Sequence, residues 1–145
     1  MILDKNLILS DAQAPRTAAT THPSDNIIDT VKIGDAVDEL YFVAYVESKC
    51  TCTTATTVEV QLVTSDNLNA GGDALDSPIT LWTSGSVNVP TGTTGLPDKY
   101  CFGIVRLPKP EKVRRYIGAQ IKIGANALTG GAFDIYLTDN PQTNF

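Results

Sequence analysis

The stretch Thr57-Val58-Glu59-Val60-Gln61-Leu62-Val63-Thr64-Ser65-Asp66-Asn67 decides the fold class, because aliphatic side chains alternate in it with polar ones. The short polar side chains at its end favour a turn. A half-buried strand of this length is not stable alone, so other segments must supply its neighbours in a sheet and a second apolar surface. The expected inward-facing side chains are Val58, Val60 and Leu62.

Further segments show the same two-residue alternation and supply those neighbours. The segment 40–47 is apolar or aromatic on both faces, which is typical of a central strand covered on both sides, and we expect the opening strand of the chain beside it. Segments 116–123 and 133–138 are predicted to form a hairpin across a turn at 124–131. Additional short strands are predicted at 26–29, 79–81, 87–89 and 100–107.

Turn-forming residues separate these strands, and no segment has the apolar spacing of a sizeable helix. The long connections at 15–25, 67–77 and 90–98 favour a jelly-roll or Greek-key crossing over an up-and-down barrel, whose loops are short. We therefore predict an all-β protein, a jelly-roll-like antiparallel β-sandwich of one domain. Its parts are an apolar N-terminal arm or edge strand at 1–14, a connector at 15–25 and the sandwich at 26–145.

The composition argues against two classes of partner. The 145 residues carry a formal net charge of −5, which disfavours binding to a phosphate backbone. No apolar run approaches the roughly 20 residues of a membrane-spanning helix, and the first residues lack the basic start and apolar core of a signal peptide. We expect no nucleic acid and no membrane partner, and synthesis in a cytosol.

No set of side chains predicts catalysis. His22 is the only histidine, so a nucleophile–histidine pair would depend on this one residue of the connector. Cys50, Cys52 and Cys101 could join it as zinc ligands, but the Cys-x-Cys spacing is not that of a zinc knuckle or ribbon. Half-buried reduced thiols are the simpler interpretation, and a disulfide from Cys101 would need adjacent strands and an oxidising compartment. We expect no enzymatic activity, metal, cofactor or small-molecule substrate.

One short segment reverses the sign of the charge, with four cations between 109 and 115 directly before Tyr116. Because arginine pairs well with carboxylates, this segment is interpreted as contacting an acidic patch on a partner protein, with a solvated turn as an equal alternative. The apolar arm is a second candidate surface, since its side chains need a burial site. The candidate interface residues are Ile2, Leu3, Leu7, Leu9, Lys112, Arg114, Arg115 and Tyr116.

Short segments distributed over most of the chain carry a family resemblance. They are Met1-Ile2-Leu3-Asp4 with Leu7 and Ser10-Asp11-Ala12-Gln13-Ala14, Asn26-Ile27-Ile28-Asp29, Leu40-Tyr41, Val60-Gln61-Leu62-Val63-Thr64-Ser65-Asp66, and Arg115-Tyr116-Ile117-Gly118. Together they resemble the Bbp16-like family of tailed-phage capsid cement (decoration) proteins. Cys50-Thr51-Cys52 and the segment 109–115 depart from the family pattern.

The resemblance implies a jelly-roll decoration protein that binds the outside of an assembled capsid as a homo-oligomer, without catalytic residues. The expected function is a structural virion protein that cements the outer surface of an icosahedral phage capsid, with the major capsid protein as partner and assembly in the host cytoplasm. We expect a dimer or trimer, since such symmetric contacts commonly cover apolar patches.

Two alternatives from other classes remain open. A carbohydrate-binding or host-adhesion jelly-roll module on the virion surface would require an exposed aromatic platform from Trp82, Tyr41, Tyr45 or Tyr136. An enzyme would require a pocket in which His22 or the cysteines meet a carboxylate.

Overall fold

The computed structural model describes residues 7–33, 40–108 and 112–139, and these form β-strands and one turn of helix. None of the described residues belongs to a helix with the length and hydropathy to cross a membrane. The all-β prediction is confirmed. In chain order the elements are β1 (Ile8–Gln13), β2 (Thr21–Pro23), β3 (Ile28–Asp29), α1 (Thr30–Ile33), β4 (Tyr41–Cys52), β5 (Thr56–Ser65), β6 (Asn67–Leu68), β7 (Leu75–Asp76), β8 (Ile79–Thr83), β9 (Val87–Val89), β10 (Gly92–Leu96), β11 (Cys101–Arg106), β12 (Tyr116–Ile123) and β13 (Gly130–Thr138).

Two antiparallel sheets enclose one apolar core. In the first sheet the order is β1-β13-β4, and β10 and β11 share the remaining edge of β4. In the second sheet β12 pairs with β5; β2 and β3 share the free edge of β12, and β8 and β9 share that of β5. The chain crosses between the two sheets six times, after β1, β3, β4, β9, β11 and β12. This is the jelly-roll arrangement, as predicted.

The alternating stretch 57–67 forms most of β5, an inner strand of the second sheet. Its aliphatic side chains Val58, Val60 and Leu62 are completely buried, which confirms the predicted inward face. The neighbouring strand β12 places Ile121 directly beside Val60. Burying one such side chain contributes roughly 1.5–3 kcal/mol, so this face supplies a large part of the driving force for folding.

The predicted central strand is β4, and it is covered on both faces. Phe42 points into the core, and Val43 on the opposite face is also 0% exposed. The expected neighbour is wrong, however, because β1 pairs with β13, and β13 lies between β1 and β4. The two-residue alternation determines which face of a strand is buried, but it does not determine which strand lies beside it.

The predicted hairpin of β12 and β13 is also wrong, because the two strands belong to different sheets. The connection between them is held to both sheets by its backbone. Gly124 N donates to Thr57 O of β5 at 2.8 Å, and Thr129 N donates to Thr51 O of β4 at 2.9 Å. The turn therefore carries the chain across the sandwich and does not reverse it within one sheet.

The long connections contain short strands that were predicted as loops. The connector 15–25 includes β2, the segment 67–77 includes the small hairpin of β6 and β7, and the segment 90–98 includes β10. These strands are polar or rich in glycine and threonine. They lack the alternation of apolar and polar residues and are recognised only by their backbone hydrogen bonds. β2 and β10 occupy edges that β12 and β4 leave open, whereas β6 and β7 pair with each other.

Two glycines allow close packing of backbone around Cys50 in β4. Gly95 has φ +54°, and a Cβ there would lie 2.3 Å from the Cys50 carbonyl oxygen. Gly131 has φ +115°, and its Cβ would lie 2.6 Å from Cys50 Cα. Only glycine adopts these conformations without strain and leaves room for the neighbouring strand.

Candidate partner-binding surface

The N-terminal arm is an edge strand of the sandwich over its described residues. Leu9 in β1 is 0% exposed and belongs to the core, while Leu7 is half-buried against it. Asn26 N donates to Leu9 O at 2.8 Å and fixes the strand from its outer side. Ile2 and Leu3 lie outside the described residues. Leu9 has no surface left for a partner, because its own domain buries it.

The two arginines of the basic segment each form an ion pair within the chain. Arg114 Nη1 lies 3.1 Å from Asp66 Oδ2, and both side chains are largely exposed. Arg115 binds Asp29 through two contacts, Nε to Oδ1 at 3.3 Å and Nη2 to Oδ2 at 3.1 Å. The Asp29 side chain is only 15% exposed, so this pair is the more enclosed of the two. The sign reversal seen in the sequence is thus balanced locally by two carboxylates.

The backbone beneath these arginines is held from both sides. Arg114 N donates to Thr64 Oγ1 at 2.8 Å, and the Arg115 carbonyl oxygen accepts from Thr30 N at 2.8 Å and Thr30 Oγ1 at 2.7 Å. The Arg115 guanidinium also lies 4.9 Å from the centre of the Tyr116 ring, within cation–π distance. Lys112, just before, is exposed. The segment therefore presents its charges from a fixed backbone.

Exposed apolar side chains stand on both sides of the arginine pairs. Val31 is 72% exposed and follows Thr30, and Ile79 is 49% exposed and pairs with Thr64 across the β5–β8 ladder. They are the exposed large hydrophobic side chains of the described part of the chain. We define the end surface by six residues: Asp29, Val31, Asp66, Ile79, Arg114 and Arg115.

Two open grooves flank the end surface. One of about 390 Å³ lies next to Asp29 and Tyr116, and one of about 230 Å³ lies next to Asp66, Ile79 and Arg114. Exposed apolar side chains that are surrounded by ion pairs and flanked by grooves are typical of a protein-binding patch. The sequence alone pointed to Arg114, Arg115 and Tyr116. It missed Val31 and Ile79, because an aliphatic residue in a strand-like pattern is normally interpreted as core.

The residues considered for metal binding or catalysis pack in the core or contact the backbone of their own domain. Cys50 and Cys52 are buried in the core on one face of β4, and Cys52 Sγ donates to Val89 O at 3.3 Å. Cys101 is half-buried, and all three cysteines are free thiols. His22 lies on β2, with Nε2 3.4 Å from Thr17 O. Among the described residues, no three His, Cys, Asp or Glu side chains come together as ligands for a metal ion.

Burial makes the thiols poor nucleophiles. Burial raises the pKa of the Cys50 thiol from 9.0 to about 11, although the positive charge of Arg16 opposes this increase. Burial also raises the pKa of the Cys101 thiol. Because the thiolate is the reactive form, we expect a thiol reagent at mildly alkaline pH to label Cys101 slowly and the other two only after unfolding. Counting labelled thiols with and without denaturant checks this. Rapid native labelling of two cysteines would contradict it.

The same shift predicts a pH dependence of stability. The folded-state pKa of Cys50 lies above its unfolded value, so the unfolded chain loses this proton first as pH rises. The contribution of Cys50 is therefore fully present below pH 9.0 and declines from there to about 11. Denaturant midpoints measured across this range should fall more steeply in the wild type than in Cys50→Ala.

The aromatic side chains considered for a glycan platform make contacts within the domain. The Trp82 ring lies 5.7 Å from that of Phe42, and a Cβ on Gly103 would lie only 2.6 Å from it. Tyr136 is 2% exposed. Tyr45 Oη donates to Asp134 Oδ2 at 2.9 Å, and Tyr41 is half-buried. These rings stabilise the sheets they belong to.

The comparison with known families covers both sheets. The model of the Bbp16 family matches residues 9–137, from Leu9 in β1 to Leu137 in β13. The match includes Asp29, Asp66 and both arginines of the end surface. No curated protein matches the chain. Since the family model spans far more than half of its residues, the chain belongs to the Bbp16 family.

Proposed function

We propose that the protein is a structural virion protein that binds the outer surface of an icosahedral phage capsid and stabilises the shell, with the major capsid protein as its partner. Membership of the Bbp16 family supports this, together with the resemblance to capsid cement proteins. The observation that carries the proposal is the end surface, where Val31 and Ile79 expose apolar area beside two ion pairs on a fixed backbone.

The two kinds of side chain contribute differently to such a contact. Val31 is 72% exposed and Ile79 49%, so burying what they still expose would be worth roughly 1–2 kcal/mol each, whereas an exposed ion pair is worth about 0–1 kcal/mol. The apolar residues therefore supply affinity, and the charges select the orientation and accelerate the encounter. Several copies in one oligomer would multiply weak contacts with the shell. The rings of Trp82, Tyr45 and Tyr136 are engaged within the domain, which favours shell binding over glycan binding.

The proposal is tested by mixing the purified protein with empty capsids of the same phage. We expect the protein to co-sediment with them in a saturable ratio and to raise the temperature at which they disassemble. Its mass in solution should be that of a dimer or trimer. A protein that neither sediments with the capsids nor changes their disassembly temperature would refute the proposed function.

Removing both arginines should weaken capsid binding and reduce its dependence on salt. The double variant Arg114→Ala/Arg115→Ala loses two charges that would lie at the border of the contact with the capsid. Because salt screens such exposed charges, the binding that remains should depend less on the salt concentration. Occupancy of capsids at low and moderate salt measures the effect. The matched control is Lys49→Ala/Lys122→Ala, which removes two exposed cations outside the end surface. Equal loss in both double variants would mean that net charge alone matters.

The double variant also leaves Asp29 without its arginine, so its stability must be measured separately. A thermal melt of the free protein distinguishes a binding defect from a folding defect. If the variant keeps wild-type occupancy at both salt concentrations, the basic segment is a solvated turn and the contact lies elsewhere.

A further inference from the structure

One carboxylate of the end surface contacts both an exposed apolar residue and an arginine. Asp29 Oδ1 accepts a hydrogen bond from Val31 N at 3.1 Å and another from Arg115 Nε at 3.3 Å. The second oxygen, Oδ2, accepts from Arg115 Nη2 at 3.1 Å. The same side chain therefore holds the backbone that carries Val31 and the guanidinium of Arg115.

The strand register brings these three residues together. Asp29 is the last residue of β3 and lies directly opposite Tyr116, the first residue of β12. The chain leaves the sheet after Asp29 into the turn Thr30–Ile33, and it enters the sheet again just after Arg115. Both segments meet at the same end of the sheet, and the Asp29 carboxylate contacts each of them.

Backbone contacts fix the two segments to each other. The Arg115 carbonyl oxygen accepts from Thr30 N at 2.8 Å and from Thr30 Oγ1 at 2.7 Å. The Asp29 side chain is 15% exposed, so little of it faces water. A carboxylate that binds a guanidinium through two parallel hydrogen bonds also defines the direction of that group. Val31 and Arg115 are therefore held in a defined arrangement, although the Val31 side chain itself is 72% exposed.

The second ion pair of the end surface is built differently. Arg114 Nη1 contacts Asp66 Oδ2 at 3.1 Å, and the two side chains are 50% and 61% exposed. A single contact between two exposed side chains defines their geometry only weakly. The two carboxylates of the end surface thus have unlike roles, and Asp66 is the natural control for Asp29.

We propose that Asp29 is a positioning residue of the contact with the major capsid protein, because it fixes Val31 and Arg115 relative to each other so that both meet the shell as one unit; this rests on the proposed function. Side chains that are already ordered lose less conformational freedom on binding, so the contact is tighter. Asp29 contributes through the two residues it holds and needs no contact of its own with the shell.

The effect of Val31→Ala on capsid binding measures this positioning. In the wild-type background we expect the substitution to weaken binding to empty capsids several-fold, since apolar area is lost from the contact. In the Asp29→Ala background the amide of residue 31 has lost its acceptor, and the turn no longer presents this side chain in one place. Val31→Ala should then change the affinity by less than twofold, the non-additivity of coupled residues.

Two conservative substitutions separate the contacts of Asp29. Asp29→Asn keeps an oxygen for Val31 N and removes the charge, and asparagine accepts such backbone hydrogen bonds as well as aspartate does. We expect it to restore the full Val31→Ala effect. Asp29→Glu keeps a carboxylate for Arg115 but moves the oxygens by one methylene group from Val31 N, so the effect should stay small. This variant replaces Asp29→Ala in the comparison if the alanine variant does not fold.

Asp66→Ala is the matched control, because it removes the same charge from the same surface and also leaves an arginine unpaired. The Val31→Ala effect should keep its wild-type size in this background. Thermal melts of the free variants show which of them are folded. Hydrogen exchange of the Val31 amide in the free protein checks the geometry without capsids, and it should be at least several-fold faster in Asp29→Ala than in wild type or Asp29→Asn.

The outcomes distinguish this inference from the proposed function. An equal Val31→Ala effect in the wild-type and Asp29→Ala backgrounds would overturn the positioning role and leave the proposed function intact. Loss of the effect in Asp66→Ala as well would assign it to the charge of the surface and would also overturn the role of Asp29. If wild type and Val31→Ala bind capsids equally, Val31 lies outside the contact and the inference fails. Absence of wild-type binding would overturn the proposed function itself.

Discussion

Gly95→Ala should lower the free energy of unfolding by about 3 kcal/mol or more, a large share of the roughly 5–15 kcal/mol that a whole domain has. The added methyl group would lie 2.3 Å from the backbone oxygen of Cys50, and the residue would keep a left-handed conformation with φ +54°. Backbone of a central strand cannot move aside locally, so β10 would have to separate from β4. Chemical denaturation measures the change.

Gly72→Ala is the control for the conformational part of that cost. Gly72 has φ +71°, but a Cβ there meets no atom within 4 Å. This substitution should cost only about 1–2 kcal/mol, the left-handed penalty alone. If both variants lose the same amount, the close approach of Gly95 to Cys50 has no energetic consequence and the steric explanation is incorrect.

Val60→Asp should prevent folding altogether. Val60 is completely buried in β5 and faces the core beside Ile121 of β12. An unpaired carboxylate there loses its hydration without gaining a partner, a cost comparable with the roughly 5–15 kcal/mol of stability that a whole domain has. Expression in soluble form and a cooperative thermal transition are the measurements.

The control for Val60→Asp introduces the same charge on the neighbouring strand. Thr80 in β8 is exposed, so Thr80→Asp should change stability by less than about 0.5 kcal/mol. A soluble, cooperatively folded Val60→Asp protein would mean that the inward face of β5 is assigned to the wrong side chains.

The inward faces could be predicted because strand geometry itself imposes the pattern. Ile117 and Ile121 of β12 and Ile135 of β13 were expected inward from alternation, and all three are buried. A side chain two residues further along a strand must return to the same face, so no knowledge of the neighbours is needed. The same reasoning identified β4 as covered on both faces.

The neighbours of each strand could not be predicted in this way. β13 lies between β1 and β4 because the chain crosses the sandwich after β12, and the turn at 124–131 resembles a hairpin turn in sequence. The polar strand β10 was missed because it lacks apolar alternation and is defined by pairing with Cys50 and Cys52. Strand pairing depends on segments that are distant in the sequence, and the pattern within one strand does not identify them.

The candidate surface was only partly predictable for a related reason. The basic segment was evident, but its carboxylate partners Asp66 and Asp29 lie 48 and 86 residues earlier in the chain. The residues of a short segment show the sign of its charge, but they do not show which carboxylates elsewhere in the chain form ion pairs with it. Val31 and Ile79 become recognisable as surface residues only when the strands around them are in place.

The position of β12 and β13 in the interior of the two sheets has a consequence for the timing of folding. β5 pairs with β12 and β4 pairs with β13, so neither sheet can close before residues 116–138 have been synthesised. Because chains grow at about 5–20 residues per second, several seconds pass between the synthesis of β4 and β5 and the synthesis of the strands that pair with them. Folding must then form its long-range pairs in one cooperative step, in the millisecond-to-second range that is usual for sandwiches.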